Sequence, residues 1–111
     1  MNTKEILGDQ FEKFIQIIKT LVKPTDQFWN QVAVDPNVAI DTIDDLFSRI
    51  KDIVDDIKYD IDNKNQFDLD YLINIRDFKI ELVAIRAKLI EKTNEEVKAA
   101  RDLIAQIEQI Q

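Results

Sequence analysis

Apolar residues recur every three or four positions along three long stretches of the chain, which is the spacing of one face of an α-helix. The first stretch predicts a helix from about Thr3 to Lys23, in which Asn2 is the N-cap and Glu5 completes a capping box. Pro24 ends this helix. Its predicted inner face carries Leu7, Phe11, Phe14, Ile18 and Leu21.

The second stretch has the clearest start in the chain. Asp35 is an N-cap residue, and Pro36 follows at the first helical position, where the missing N–H costs nothing. The alternation of three and four residues then continues to Asp62. The predicted inner face is Ile40, Ile43, Phe47, Ile50, Val54, Ile57 and Ile61.

The connector between these two helices contains Phe28, Trp29 and Val32, which have the spacing of one short helical turn capped by Thr25 or Asp26. Tryptophan is frequent at the centre of protein interfaces, so Phe28 and Trp29 are candidate partner-binding residues. The other interpretation is a cover over one end of the bundle, which we favour because burying one Trp closes an open end.

A polar break, Asn63–Gln66, separates the second helix from a third that begins after Asp68 as N-cap. The short break makes the two helices antiparallel neighbours. The predicted inner face of the third helix is Tyr71, Leu72, Ile75, Phe78, Leu82, Ile85 and Leu89.

Two interpretations stay open beyond Leu89. Thr93 begins a second possible capping box, so the chain can turn there and close a four-helix monomer. The absence of Gly and Pro favours a continuous helix that extends beyond its neighbours. The apolar residues left uncovered would then be Val97, Ala100, Leu103, Ile104, Ile107 and Ile110, and this predicts a homo-oligomer or a partner helix at Leu103, Ile107 and Ile110.

These stretches and the single Gly predict an all-α fold, an antiparallel three- or four-helix bundle that forms one domain over residues 1–111. Cysteine and histidine are both absent, which removes thiol nucleophiles, imidazole bases and thiolate or imidazole metal ligands. We therefore expect no enzyme, and no catalytic, cofactor-binding or metal-binding residue. The stretch from Asp60 to Tyr71 has the oxygen density of an EF-hand calcium loop, but it fails at three positions. Lys64 stands at the fifth position, Asn65 replaces the Gly of the sixth, and Tyr71 stands in place of the bidentate acid.

Acidic residues outnumber basic ones by 22 to 15, giving a net charge of −7, which is the wrong sign for direct binding of nucleic acid. The second helix concentrates this charge, because its aspartates fall on one side of the helical wheel, opposite the isoleucines. Either this side is an ordinary solvated surface, or it imitates a row of phosphates and occupies the basic groove of a nucleic-acid-binding protein. The acidic face consists of Asp41, Asp44, Asp45, Asp52, Asp55 and Asp56.

No apolar run has the length of a membrane span, and we expect a cytoplasmic protein. The leading hypothesis for function is a non-enzymatic protein–protein interaction module: an adaptor, assembly subunit, chaperone or immunity-type inhibitor that presents helix faces to a protein partner. The alternative is an acidic mimic of nucleic acid that inhibits a basic-groove protein through the second helix.

Overall fold

The computed structural model describes residues 1–110, and within them the chain forms five helices and no strand. The all-α prediction is confirmed. Gln111, which the predicted domain included, lies outside the described residues. The helices are α1 (Thr3–Leu7), α2 (Gln10–Leu21), α3 (Asp26–Val34), α4 (Pro36–Asp62) and α5 (Leu69–Gln109).

The first predicted helix is divided in two, so the prediction of one helix from Thr3 to Lys23 is wrong. The capping box at Asn2 is present, and its side chain accepts a hydrogen bond of 2.8 Å from the Glu5 N–H. The helix stops at Gly8, whose φ of 53° is one that L side chains rarely adopt, and it restarts at Gln10. The break is a change of backbone direction that only glycine takes without strain.

The connector is more ordered than one helical turn, because α3 spans nine residues. Of the two predicted caps, Thr25 is the one used, and its hydroxyl accepts a hydrogen bond of 3.3 Å from the Phe28 N–H. The helix packs against α1 and against α4.

Helices α4 and α5 form the predicted antiparallel pair, with the predicted start and end of α4 and the predicted start of α5. Asp35 accepts a hydrogen bond of 2.9 Å from the Asn37 N–H, and Asp68 accepts one of 3.1 Å from the Tyr71 N–H. Lys64 takes a φ of 58° just after α4, a position where glycine is commoner. The stretch that resembles a calcium loop is thus a helix end followed by an N-cap.

The core lies between the α4–α5 pair and the three shorter helices, which all pack onto this pair. Phe14 and Ile18 of α2, Ile43 of α4, and Leu82 and Ile85 of α5 are fully buried at its centre. Because burial of apolar surface is the main stabilising contribution to folding, this interface holds the five helices together.

The buried side of α4 is rotated relative to the prediction. Ala39, Thr42 and Leu46 are buried, since α2 and α3 pack on that side. Ile61 and Tyr71, both predicted to face inward, are 47% and 37% exposed. The shorter helices do not extend to the α4–α5 turn, and this leaves the end of the pair without a third helix over it.

The chain does not turn at Thr93, so the four-helix monomer is wrong and the continuous helix is confirmed. The Thr93 hydroxyl donates a hydrogen bond of 3.0 Å to the Ile90 carbonyl instead of capping a new helix. The 41 residues of α5 correspond to about 62 Å, and the molecule measures 74 × 27 × 21 Å. The radius of gyration is 18.5 Å, compared with about 13 Å for a compact chain of this length.

Candidate functional site

The end of α5 extends beyond the other helices, and we call residues 97–110 the projecting segment. The amino group of Met1, two residues before α1, forms an ion pair with Glu96, which marks where the bundle ends along α5. Every residue from Asn94 to Ile110 is exposed. At 1.5 Å per residue the projecting segment is about 20 Å long.

The projecting segment carries five large apolar side chains that are about half exposed or more. A monomeric soluble protein rarely exposes a large contiguous apolar surface unless that surface binds something. The exposed fractions are 49% for Val97, 58% for Leu103, 52% for Ile104, 66% for Ile107 and 77% for Ile110.

These side chains continue the buried face of α5. Leu82, Ile85 and Leu89 are fully buried inside the bundle. On a helical wheel with about 100° per residue, those three residues span about 60°. Leu103 and Ile107 fall within this arc, and Ile104 lies about 40° outside it. The apolar face of α5 is covered up to Leu89, is interrupted by the polar residues 91–96, and resumes on nearly the same side of the helix from Val97, where it is open.

The acidic face of α4 is exposed as the wheel predicted, with all six of its aspartates accessible to solvent. Two of them are partly neutralised. Asp44 accepts a hydrogen bond of 2.9 Å from Arg86 of α5, and Asp55 lies 3.9 Å from Lys51. Among the described residues no ion pair involves Asp41, Asp45, Asp52 or Asp56.

Phe28 and Trp29 are half-buried and pack against the core from α3. Their rings meet edge to face with centroids 5.7 Å apart, and the Lys19 ammonium lies 6.0 Å from the Trp29 ring centroid. The two rings thus help to cover the core. Their helix lies alongside α1 and the first half of α4.

The sequence pattern did not predict a groove that is lined by residues of α4 and α5 alone. It has a volume of about 660 Å³, and its floor includes Ile50, Val54 and Leu72. Four cationic residues and one carboxylate, Asp55, lie around this floor, in contrast to the negative charge of the whole chain. The sequence shows that Lys51 and Lys58 are seven residues apart and therefore share one side of α4. It does not show the opposite wall of the groove, because that wall belongs to α5. The four cations are Lys51, Lys58, Arg76 and Lys79.

Residues 1–110 contain no candidate metal centre. No cluster of three or more carboxylates is placed to hold a metal ion in this part of the chain. The amino group of Met1 has a raised pKa, mainly because it donates a hydrogen bond to the Glu96 side chain. None of the described helices is both long enough and apolar enough to cross a membrane.

No protein-family model, curated protein or solved structure matches the chain.

Proposed function

We propose that the chain is a non-enzymatic protein–protein interaction module that binds its partner through the projecting segment of α5. The observation that carries this proposal is that the apolar stripe of α5 resumes beyond Glu96 on nearly the same side of the helix, where its side chains are exposed. Inside the bundle this stripe is covered by helices of the same chain, and beyond Glu96 no helix among the described residues covers it. A helix from a partner would continue the packing that the bundle begins.

The stripe offers a moderate amount of binding energy. Full burial of a Val, Leu or Ile side chain stabilises a complex by roughly 1.5–3 kcal/mol, and these five side chains have about half to three-quarters of that surface to bury. The gross contribution is about 5–8 kcal/mol, from which the loss of translational and rotational freedom must be subtracted. A tight complex therefore needs polar contacts at the edges of the stripe as well.

Site-specific photo-crosslinking in cells tests the proposal. A photoreactive amino acid at Ala100 lies on the stripe, whereas the same group at Gln106 lies on the opposite side of the helix. We expect a discrete cross-linked product from position 100 that is lost when Ile104→Asp is added. Equal labelling from both positions, or a product that survives Ile104→Asp, would refute binding through the stripe.

A second candidate function is the acidic mimic of nucleic acid, favoured by the exposure of the four aspartates on α4 that form no ion pair among the described residues. These side chains follow one helix over about 22 Å, the distance from Asp41 to Asp56. Such a strip would bind a basic groove, with an affinity that falls steeply as salt is raised.

The corresponding variant replaces Asp41, Asp45, Asp52 and Asp56 by Asn. We expect it to lose binding to a captured partner and to gain slight stability, because like charges one turn apart repel. A matched control removes the same charge elsewhere, by Gln or Asn at Glu12, Glu91, Glu95 and Asp102. Equal binding by the wild type and the first variant would eliminate this candidate.

A further inference from the structure

The projecting segment carries two opposite charges on one edge of its apolar stripe. Arg101 and Glu108 are seven residues apart, so they lie one above the other on the same side of α5. We propose that the projecting segment pairs with the same segment of a second copy of this chain, in antiparallel orientation. This inference rests on the proposed function and names its partner.

The helical wheel gives the arrangement around Ile104. Arg101 and Glu108 lie within about 60° of Ile104 on one side, and Ile107 lies about 60° away on the other. Leu103 extends the stripe further in the direction of Ile107. The segment therefore has an apolar centre, one apolar edge and one edge that carries a positive and a negative charge.

An antiparallel pair matches this pattern to itself. Two helices related by a two-fold axis near residue 105 place Arg101 beside the second copy's Glu108, and Glu108 beside the second copy's Arg101. The same register sets Ile104 against the second copy's Ile107. Two ion pairs and a continuous apolar layer thus form in one alignment.

A parallel pair fits less well. In parallel two-helix packing the charged edge of one helix faces the opposite edge of the other, which sets Glu108 against Leu103 of the second copy. It would also bring two bundles together at the same end, where Glu96 is already paired with the amino group of Met1. The antiparallel pair keeps the two bundles at opposite ends.

The surface buried would be small. Five partly exposed side chains supply a few hundred Å² of apolar area per copy, which lies at the lower end for specific interfaces. We therefore expect a dimer that dissociates on dilution.

Light scattering coupled to size-exclusion chromatography, over a concentration series from low micromolar to near millimolar, measures this association. The expected result is a rise from the monomer mass of 13.0 kDa to twice that value and no further. Ile104→Asp should remain a monomer throughout, whereas Gln106→Asp, on the opposite side of α5, should dimerise like the wild type. A wild type that stays monomeric, or that grows beyond a dimer by docking into the α4–α5 groove of another copy, would overturn the inference.

Charge reversal tests the register. Arg101→Glu and Glu108→Arg should each weaken the homodimer, because each brings like charges together. An equimolar mixture of the two variants should form a heterodimer, since every ion pair is restored across the interface. Lys98→Glu and Asp102→Lys make the same changes of net charge on the far side of the helix and serve as the control pair. Equal heterodimer formation by the control pair would contradict the register.

Orientation is measured with one spin label, which is convenient because the chain has no cysteine. A label at Asn94→Cys should lie about 33 Å along the helix axis from its counterpart in the antiparallel dimer, but only about 10 Å away in a parallel one. The shorter distance would overturn the inference. If position 100 cross-links to a different protein and the purified chain is monomeric, the proposed function is supported and only the homodimer is refuted.

Discussion

Two isoleucines on the same stripe of α5 differ in whether the rest of the chain covers them. Ile85 is fully buried, whereas Ile107 is 66% exposed. Replacing each by Ala makes the same chemical change within the same helix. Comparing the two variants therefore separates the contribution of tertiary packing to the free energy of unfolding from the contribution of helix propensity.

The expected magnitudes follow from this difference in burial. Ile85→Ala removes buried methyl and methylene groups from a closed site and should destabilise the fold by about 3 kcal/mol. For a chain of this length that corresponds to a fall in Tm of roughly 10–15 °C. Ile107→Ala removes little intrachain packing because Ile107 is largely exposed, and Ala is the better helix former, so the change in a dilute monomer should stay within about 0.5 kcal/mol of zero.

Thermal unfolding followed by circular dichroism at low micromolar concentration measures both variants. Repeating the scans at high concentration adds a second readout, because the destabilisation by Ile107→Ala should appear only where the projecting segment is covered. A comparable fall in Tm for both variants in dilute solution would refute the assignment of 97–110 as uncovered.

Three further substitutions test two contacts between distant residues and the backbone conformation at Gly8. Arg49→Met removes the hydrogen bond of 2.7 Å from the Arg49 side chain to the Leu21 carbonyl and should cost about 1 kcal/mol in urea unfolding, a low value because Arg49 is exposed. Gly8→Ala should destabilise the fold by about 1–3 kcal/mol because of the positive φ at this position. In a continuous helix the same substitution would stabilise the fold by about 0.5–1 kcal/mol, so the sign of the measured change distinguishes a break at Gly8 from a continuous helix. The hydrogen bond to Glu96 raises the pKa of the Met1 amino group above 8.0, so its stabilisation is present below pH 8.0 and is lost as pH rises through the folded-state pKa. Glu96→Gln should therefore flatten the decrease of Tm above pH 8.0, and an unchanged pH profile would contradict this contact.

The positions of the helix ends around α4 could be predicted because they depend on local chemistry. Asp35 and Asp68 cap the N–H groups of their own helices, and such a hydrogen bond forms between residues two or three apart whatever the rest of the chain does. The exposure of the aspartates on α4 was equally predictable, since charged side chains opposite an apolar stripe point to solvent.

The break at Gly8 and the burial of Ala39 could not be predicted in this way. A single Gly is tolerated inside many helices, so its effect depends on where α1 and α2 pack. The side of α4 that is buried depends on where α2 and α3 lie. A helical wheel gives the position of a broad apolar stripe but not the edge of it that a neighbouring helix covers. The groove with its cationic residues likewise needs both walls, which come from helices far apart in the sequence.

By itself, the sequence determined that the chain is helical and that apolar residues recur at helical spacing both before and after the polar residues 91–96, because both follow from spacing. Only the tertiary structure decided what Thr93 does and which part of the stripe is covered. Local capping chemistry permitted a turn as well as a continuous helix, and the shorter helices cover only the first part of α5. The exposed stripe at Leu103, Ile104 and Ile107 is the consequence, and it is the surface on which the proposed function depends.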